Sequence, residues 1–417
     1  MKIRHLRWWL AGLLLVVSIK NYADRQMLPI LAPSIQSDLH ISDTQYAGIL
    51  NLFLVAYTAS YLFSGRLVDA LGSRWSLAIF LSIWSVAGAC TGLVRSAAAV
   101  GWLRFIFGLG EAGGYTASPK VVAEWFPKEE RGVAISLYSM GGAIGATLAP
   151  VVTIALSGWL GWRLAMLVGG VSGLLILVPW LLLFREPTRH PWITRAELDL
   201  ISTGSPGPSG SPPGERARWA MVFSSPAIWA LMVSRMLTDP VWYFFQFWMP
   251  KYLHSARGLS QGQLGRMWVV FLAADIGFLG GGWLSDSLVR HGRDAPSARL
   301  RIMAAGAMLM PLAPLVNYSA GLAIALATSM VLVLAHTAWL TNHNALVMDL
   351  VPPGLFGTAY GLISAGSAIG GIGMNQLVVW TTQHYSYAPC FFAMMVLHPL
   401  GLLIIWRWGR RFSFTPS

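Results

Sequence analysis

Two stretches of this chain bring acids and bases together at spacings suited to holding an anion and moving a proton. RFIFGLGEAGGYTASPKVVAEW, from 104 to 125, sets Arg104, Glu111 and Lys120 in an otherwise apolar run, and Lys20, Asp24 and Arg25 follow the apolar run that starts at Trp8. Arginine suits a carboxylate because its planar guanidinium offers two parallel N–H donors. A carboxyl shielded from water can take up and release a proton near neutral pH. Arg104 and Glu111 are about 10 Å apart along one helix. That is too far for a direct bond on a straight helix, so Glu111 is expected to find another partner or to carry a proton.

Further polar groups lie in apolar surroundings. Lys20 with Asp24, Arg235 with Asp239, and Lys120 with Glu124 are i,i+4 pairs, each on one helix face. Tyr57 offers a hydroxyl. Asp275 is a lone carboxyl, expected to pair with Arg235 or to act as a second ionisable site. His336, Asn342, His343, Asn344, Asn375 and Gln376 supply donors and acceptors suited to a polyhydroxylated solute. For each of these the competing reading is helix packing, or an ion pair that only locks helices together.

The elements that position them are membrane spans. The 417 residues are 55% hydrophobic and 11% charged, about half the charge density of a soluble domain, with mean hydropathy +0.57. This is a polytopic membrane protein without room for a soluble catalytic domain, and a charged side chain at bilayer depth is by default a functional candidate. Hydropathy and turn signals predict twelve spans, near 8 to 32, 44 to 67, 75 to 94, 97 to 123, 132 to 156, 161 to 184, 226 to 252, 261 to 287, 299 to 317, 320 to 348, 355 to 382 and 387 to 408. The basic, apolar opening imitates a signal peptide, but no small-residue cleavage site follows, so it reads as a retained first span. TGSPGPSGSPPGERAR (203 to 218) is a Pro/Gly/Ser linker, preceded by ITRAELDLI, a short surface helix capped at Thr194. The expected organisation is a six-span bundle over 1–184, a cytoplasmic linker over 185–223 and a second six-span bundle over 224–417.

The net charge of +12 reflects topology, not nucleic-acid binding. Most Lys and Arg fall in the odd-numbered loops and the termini, whereas the opposite loops hold only Arg95, Arg163, Lys251, Arg257 and Arg266. The positive-inside rule therefore puts both termini in the cytoplasm. Cys90 and Cys390 both lie in apolar spans and offer neither a disulfide framework nor metal-ligand spacing.

The halves repeat. Residues 123–145 align with 348–370 at a shift of 225, with Pro127, Gly132, Ala134, Leu137, Ser139, Gly141, Ala143, Ile144 and Gly145 recurring. Gly65 to Asp69 echoes Gly282 to Asp286, and Lys20 and Asp24 fall on Arg235 and Asp239. Parallel six-span repeats are the architecture of a major-facilitator transporter, with its substrate site between the halves near the midplane. A charge present in both halves is the better scaffold candidate, and a charge in one half the better substrate candidate. Arg25 falls on Pro240, Arg104 on Ser329 and Glu111 on His336, so these three are the unmatched charges.

Gly65, Asp69, Gly72 and Arg74 resemble the major facilitator superfamily signature after the second span. NYADR at 21–25, GEAG at 110–113 and KVVAEWFPKEERG at 120–132 resemble its anion:cation symporter branch. RMLTDPVWYFFQFWMPKYL at 235–253 and AADIG at 273–277 are similar to the hexuronate transporters. The resemblance implies an all-α fold of twelve transmembrane helices in two pseudo-symmetric bundles, in a bacterial inner membrane. It also draws Asp24, beside the arginine, toward a protonation role, and supports Tyr57 near the substrate.

The expected function is proton-coupled symport of an organic anion, foremost a hexuronate or aldonate, by alternating access. Arg25, Arg104, Tyr57, Asn342, His343, Asn375 and Gln376 are the expected substrate-binding residues, and Glu111 with Asp24 the proton-coupling ones. Lys20, Asp69, Arg74, Lys120, Glu124, Arg235, Asp239, Asp275, Asp286 and His336 are expected to gate or brace the helices. The expected partners are a small organic acid, protons and the lipid bilayer, with no cofactor, metal or nucleic acid and a monomeric carrier. Uptake of another monocarboxylate or aromatic acid, sodium-coupled phosphate uptake, and efflux of hydrophobic compounds are the alternatives. An enzyme is disfavoured, since the sequence holds no H-E-x-x-H helix, nucleophile elbow or Gly-Lys phosphate loop.

Overall fold

The computed structural model describes residues 2–203, 215–352 and 355–409. Most of the Pro/Gly/Ser linker, from 204 to 214, and the side chain of Asp69 lie outside the described residues. Among those described, every regular element is a helix. In a bilayer that is the expected solution, because a helix satisfies its own backbone N–H and C=O groups where water cannot.

In chain order the elements are α1 Leu6–Leu39, α2 Asp43–Thr91, α3 Ala97–Trp125, α4 Lys128–Leu183, α5 Arg195–Thr203 and α6 Glu215–Phe223. There follow α7 Pro226–Phe247, α8 Met249–Ser255, α9 Trp268–Arg290, α10 Ala295–Leu309, α11 Pro314–Tyr318, α12 Leu322–Leu350, α13 Phe356–His384 and α14 Ala388–Gly409. Short 3-10 turns lie at Pro187–Arg189, Gln261–Met267 and Met310–Leu312.

With 49 and 56 residues, α2 and α4 are too long for single spans. Each breaks at a glycine of positive φ, Gly72 at +73° and Gly161 at +76°, a conformation that costs glycine nothing and any β-carbon dearly. The breaks resolve the twelve membrane spans. Seven described stretches qualify as spans by length and composition alone, Val133–Leu183 being long enough for two. Missing from that set are α1, the part of α2 before Ala70, α3 and α7, whose charged and polar residues depress their hydropathy. The segments hardest to recognise as membrane helices are the ones that carry the site.

Two compact units form, residues 1–211 with 261–265, and residues 212–260 with 266–417. The repeat is visible in how each unit packs. A β-carbon on Gly141 would lie 2.6 Å from the Leu15 carbonyl oxygen of α1, and one on Gly145 would strike the Ile19 carbonyl. Their repeat mates Gly366 and Gly370 meet the α7 backbone at Met232 and Met236 in the same way. Small residues on the fifth span let its backbone seat directly on the first span of its own unit, the usual device for close helix approach in a membrane.

Helix starts follow side-chain caps. Ser42 and Gln45 form a capping box for α2, Ser96 caps α3, and Ser225 caps α7. Thr194 accepts from the Glu197 amide at the start of α5, as its sequence predicts.

Candidate functional site

In the first unit a buried charge cluster joins α1, α2 and α3. Consecutive helix residues point about 100° apart, so Asp24 and Arg25, though adjacent, serve different partners. Asp24 turns back to Lys20, whose Nζ donates to its Oδ1. Arg25 turns to α3, where its Nε donates to Glu111 Oε1 at 2.6 Å. Its Nη2 donates to the Tyr57 hydroxyl at 2.9 Å, and that hydroxyl is 3.2 Å from the Tyr61 hydroxyl. The guanidinium carbon lies 4.8 Å from the ring centroids of both Tyr22 and Tyr57 and 5.8 Å from that of Phe53. An aromatic surround of this kind stabilises a cation where water is scarce.

Glycines bring α3 close enough for this contact. A β-carbon on Gly108 would lie 2.8 Å from the Phe53 carbonyl oxygen, and one on Gly110 would lie 2.7 Å from the Trp84 amide nitrogen. Ser60 of α2 reinforces the approach by donating to the Leu109 carbonyl at 2.7 Å.

Arg104 lies about two turns before Glu111 on α3. It is 3% exposed and 4.7 Å from the Phe107 ring, and its Nε and Nη2 meet no acceptor among the protein atoms. Oε2 of Glu111 and Oδ2 of Asp24 are likewise buried without a donor. Lys20, Arg25 and Arg104 are thus three cations against the two carboxylates Asp24 and Glu111. A buried charge normally needs a partner. This cluster is one anion short.

The other partner expected for Glu111 is a cation from a different helix. The closest cation is Arg25, brought across from α1, a contact that spacing along α3 cannot reveal. Arg25 in turn was matched by no charge in the repeat, yet its compensating carboxylate comes from within its own unit. Tyr22 and Phe53 complete the surround without having been singled out in the sequence. Aromatic residues on the Arg25 face of α1 and α2 were the available signal.

In the second unit Arg235 donates from Nε to Asp239 Oδ2 and from Nη1 to Asn344 Oδ1, both at 2.8 Å, and lies 5.7 Å from the Tyr360 ring centroid. Arg235 therefore answers Asp239 and Asn344, and Asp275 of α9 is partly buried. Asn342 donates to the carbonyls of Gly281 and Ala338 at 2.9 Å, and His343 Nε2 is 3.1 Å from the Leu231 carbonyl oxygen. Asn375 accepts from the Trp248 indole at 2.8 Å, whereas Gln376 is exposed. His336 sits 3.0 Å from His398 of α14, a partner that sequence reading missed.

The bracing residues have local partners. Arg74 donates to the Leu181 carbonyl at 2.6 Å, and Asp286 accepts from Arg299 at 2.5 Å. Of the Lys120 and Glu124 pair, Lys120 donates to the Val68 carbonyl at 3.1 Å and Glu124 accepts from Ser73 at 2.8 Å. At the start of α1, Arg7 spans Glu130 and Glu197, at 2.7 and 3.0 Å. The guanidinium hydrogen bond holds the Glu130 carboxyl below its ordinary value of 4.5. Nearby, burial lowers the His190 imidazole from its ordinary value.

Comparison with known proteins places this fold. The model of the Major Facilitator Superfamily matches residues 14–375. The chain belongs to that superfamily. It is therefore a membrane transporter and not an enzyme. It is 25% identical over 407 residues to the hexuronate transporter of Escherichia coli (strain K12), covering 97% of this chain and 94% of that one. It is 33% identical over 339 residues to the probable galactarate/D-glucarate transporter GudP of Bacillus subtilis (strain 168), covering 75% and 72%. A bacterial homolog of the human lysosomal transporter Spinster, solved inward-facing and unoccupied, shares the fold with a TM-score of 0.78 at 19% identity, covering 100% of both chains.

Proposed function

We propose that this superfamily member is a proton-coupled symporter that imports a sugar acid, a hexuronate or aldonate, by alternating access. The observation that carries this reading is the buried cluster of the first unit, which holds one cation more than it has carboxylates. A sugar acid brings the missing anion. Arg104 and Arg25 are the groups to receive it, and the Tyr57 hydroxyl supports Arg25.

The same geometry supplies a coupling step. While Glu111 is ionised, it occupies the Nε of Arg25 at 2.6 Å. A proton on Glu111 removes the anion from that contact and leaves the guanidinium to the substrate carboxylate. Loss of the proton restores the competition and releases the substrate. A proton shifts a carrier's equilibrium only through such a difference in interaction between states. Asp24 is the second carboxyl of the cluster, and its free oxygen gives it capacity for a proton of its own. A cytoplasmic location of both termini follows from the basic loops.

Relatives whose names specify hexuronate and galactarate/D-glucarate support the substrate class. The test is uptake of radiolabelled hexuronate and aldonate into proteoliposomes under an imposed pH gradient. Accumulation that collapses with the gradient and is lost in Arg25→Ala supports the reading. Strict sodium dependence with phosphate as the solute, or transport retained by Arg25→Ala, overturns it.

A further inference from the structure

The second unit holds a buried titratable pair that the scheme above leaves unused. His336 of α12 and His398 of α14 are both 0% exposed, and Nδ1 of the first is 3.0 Å from Nε2 of the second. Two neutral imidazoles carry two N–H groups between them. One fills the bridge. The donor ring's outer nitrogen is then a bare lone pair, and the acceptor ring's outer nitrogen carries the second hydrogen. Those outer atoms, His336 Nε2 and His398 Nδ1, are both buried without a partner. As a neutral pair the two rings leave one donor and one acceptor without a partner in the core.

Aromatic rings and the charges of α7 surround the pair. The Trp242 indole lies nearly parallel to the His336 ring, 8° apart with centroids at 6.1 Å, and the Trp339 and His398 rings stand at 75° with centroids at 5.1 Å. An indole face attracts an imidazolium more than a neutral imidazole. The charged groups that act on His336 are Asp239 and Arg235, both from α7, and the group that acts on His398 is His336 itself. On α9, Asp275 is adjacent in sequence to Ala274, whose carbonyl accepts from Thr337. On α12, His343 responds to the same Arg235 and Asp239. Oδ1 of Asp239 is buried and unpartnered. Finally, His336 occupies the repeat position of Glu111, so each unit carries a titratable group at the same place on its fourth span.

We infer that His336 and His398 form a second proton-binding site of the carrier. The incoming proton fills the bare lone pair on the outer nitrogen of the donor ring, giving three N–H groups and one positive charge over the two rings. Movement of the bridging hydrogen from one ring to the other carries that charge between α12 and α14. The loaded pair draws on the Asp239 carboxylate, which loosens its grip on Arg235 and so links the proton to the Arg235–Asn344 contact. The inference extends the proton coupling proposed above, but protonation of the pair can be read without any transport.

The experiment is NMR of the full chain in lipid nanodiscs with 15N-labelled histidine, in wild type, His336→Gln, His398→Asn and Glu111→Gln. Wild type and Glu111→Gln are expected to show both rings gaining charge together in one step between about pH 5 and pH 8, the range in which histidine charge ordinarily changes. His336→Gln and His398→Asn each remove the shared step. In substrate exchange, which needs no proton gradient, the same two variants lose one ionisation from the pH profile, and Trp242→Phe, which keeps both histidines, only shifts it. Two rings that stay neutral with fixed tautomers across that range, or that titrate independently, overturn the inference. A carrier that exchanges no sugar acid in wild type, but shows the shared step, refutes the proposed function and leaves the proton site standing.

Discussion

Replacing Glu111 with glutamine isolates the coupling step. The side chain keeps its shape and an oxygen to accept from Arg25 Nε, but the negative charge opposite the guanidinium is gone. The contact is short, 2.6 Å, and its carboxylate is fully buried. A hydrogen bond to a charged group contributes about 1.5–3 kcal/mol and a neutral one about 0.5–1.5. The glutamine therefore competes for Arg25 less strongly by about 1.5 kcal/mol, or about tenfold in an equilibrium constant. The variant at neutral pH is expected to bind sugar acid about tenfold more tightly than wild type, by the same free-energy difference. Wild type should approach that affinity only as acid protonates Glu111. Titration calorimetry on detergent-solubilised protein at two pH values reads the affinity, and proteoliposomes compare exchange with gradient-driven uptake. Exchange should survive while uphill accumulation is lost. Accumulation by Glu111→Gln at the wild-type rate, or an unchanged pH dependence of affinity, would refute the coupling role.

Two further outcomes test the cluster and its cytoplasmic brace. Arg104→Met removes a buried cation whose Nε and Nη2 meet no protein acceptor, so the substrate-free protein should melt at the same or a higher temperature. Its affinity for sugar acid should fall about 10- to 100-fold, the loss of a charge-assisted contact of about 1.5–3 kcal/mol. A scanning thermal-shift assay with and without ligand separates the two effects, and a lower melting temperature without ligand would mean that Arg104 is structural. Glu130 has its folded pKa lowered by the Arg7 hydrogen bond. Its contribution is fully present above the ordinary value of 4.5 and is lost as pH falls through the lower folded value, because the unfolded chain then binds the proton more readily. Glu130→Gln should flatten the acid side of the melting-temperature profile, and an unchanged profile would exclude the pair as a source of acid sensitivity.

Membrane residence, the number of spans, the twofold six-span repeat and the candidate charges were legible in the sequence. The bilayer imposes lengths and a ban on unpaired backbone, and both leave a one-dimensional record. The glycines of the fifth spans were legible as well, since Gly141 and Gly145 recur as Gly366 and Gly370. The repeat also marked Arg25, Arg104 and Glu111 as charges without a second copy.

Partnership was decided only by the tertiary structure. Arg25 and Glu111 are 86 residues apart, and His336 and His398 are 62 apart. Spacing along one helix predicts contacts within that helix, as it does for Lys20 with Asp24 and Arg235 with Asp239. It says nothing of which face a neighbouring helix presents, because that depends on how closely glycines such as Gly108 and Gly110 let two backbones approach. The sequence alone determined which charges enter the membrane. Packing decided that Glu111 is claimed by Arg25, and that Arg104 is left with no protein anion.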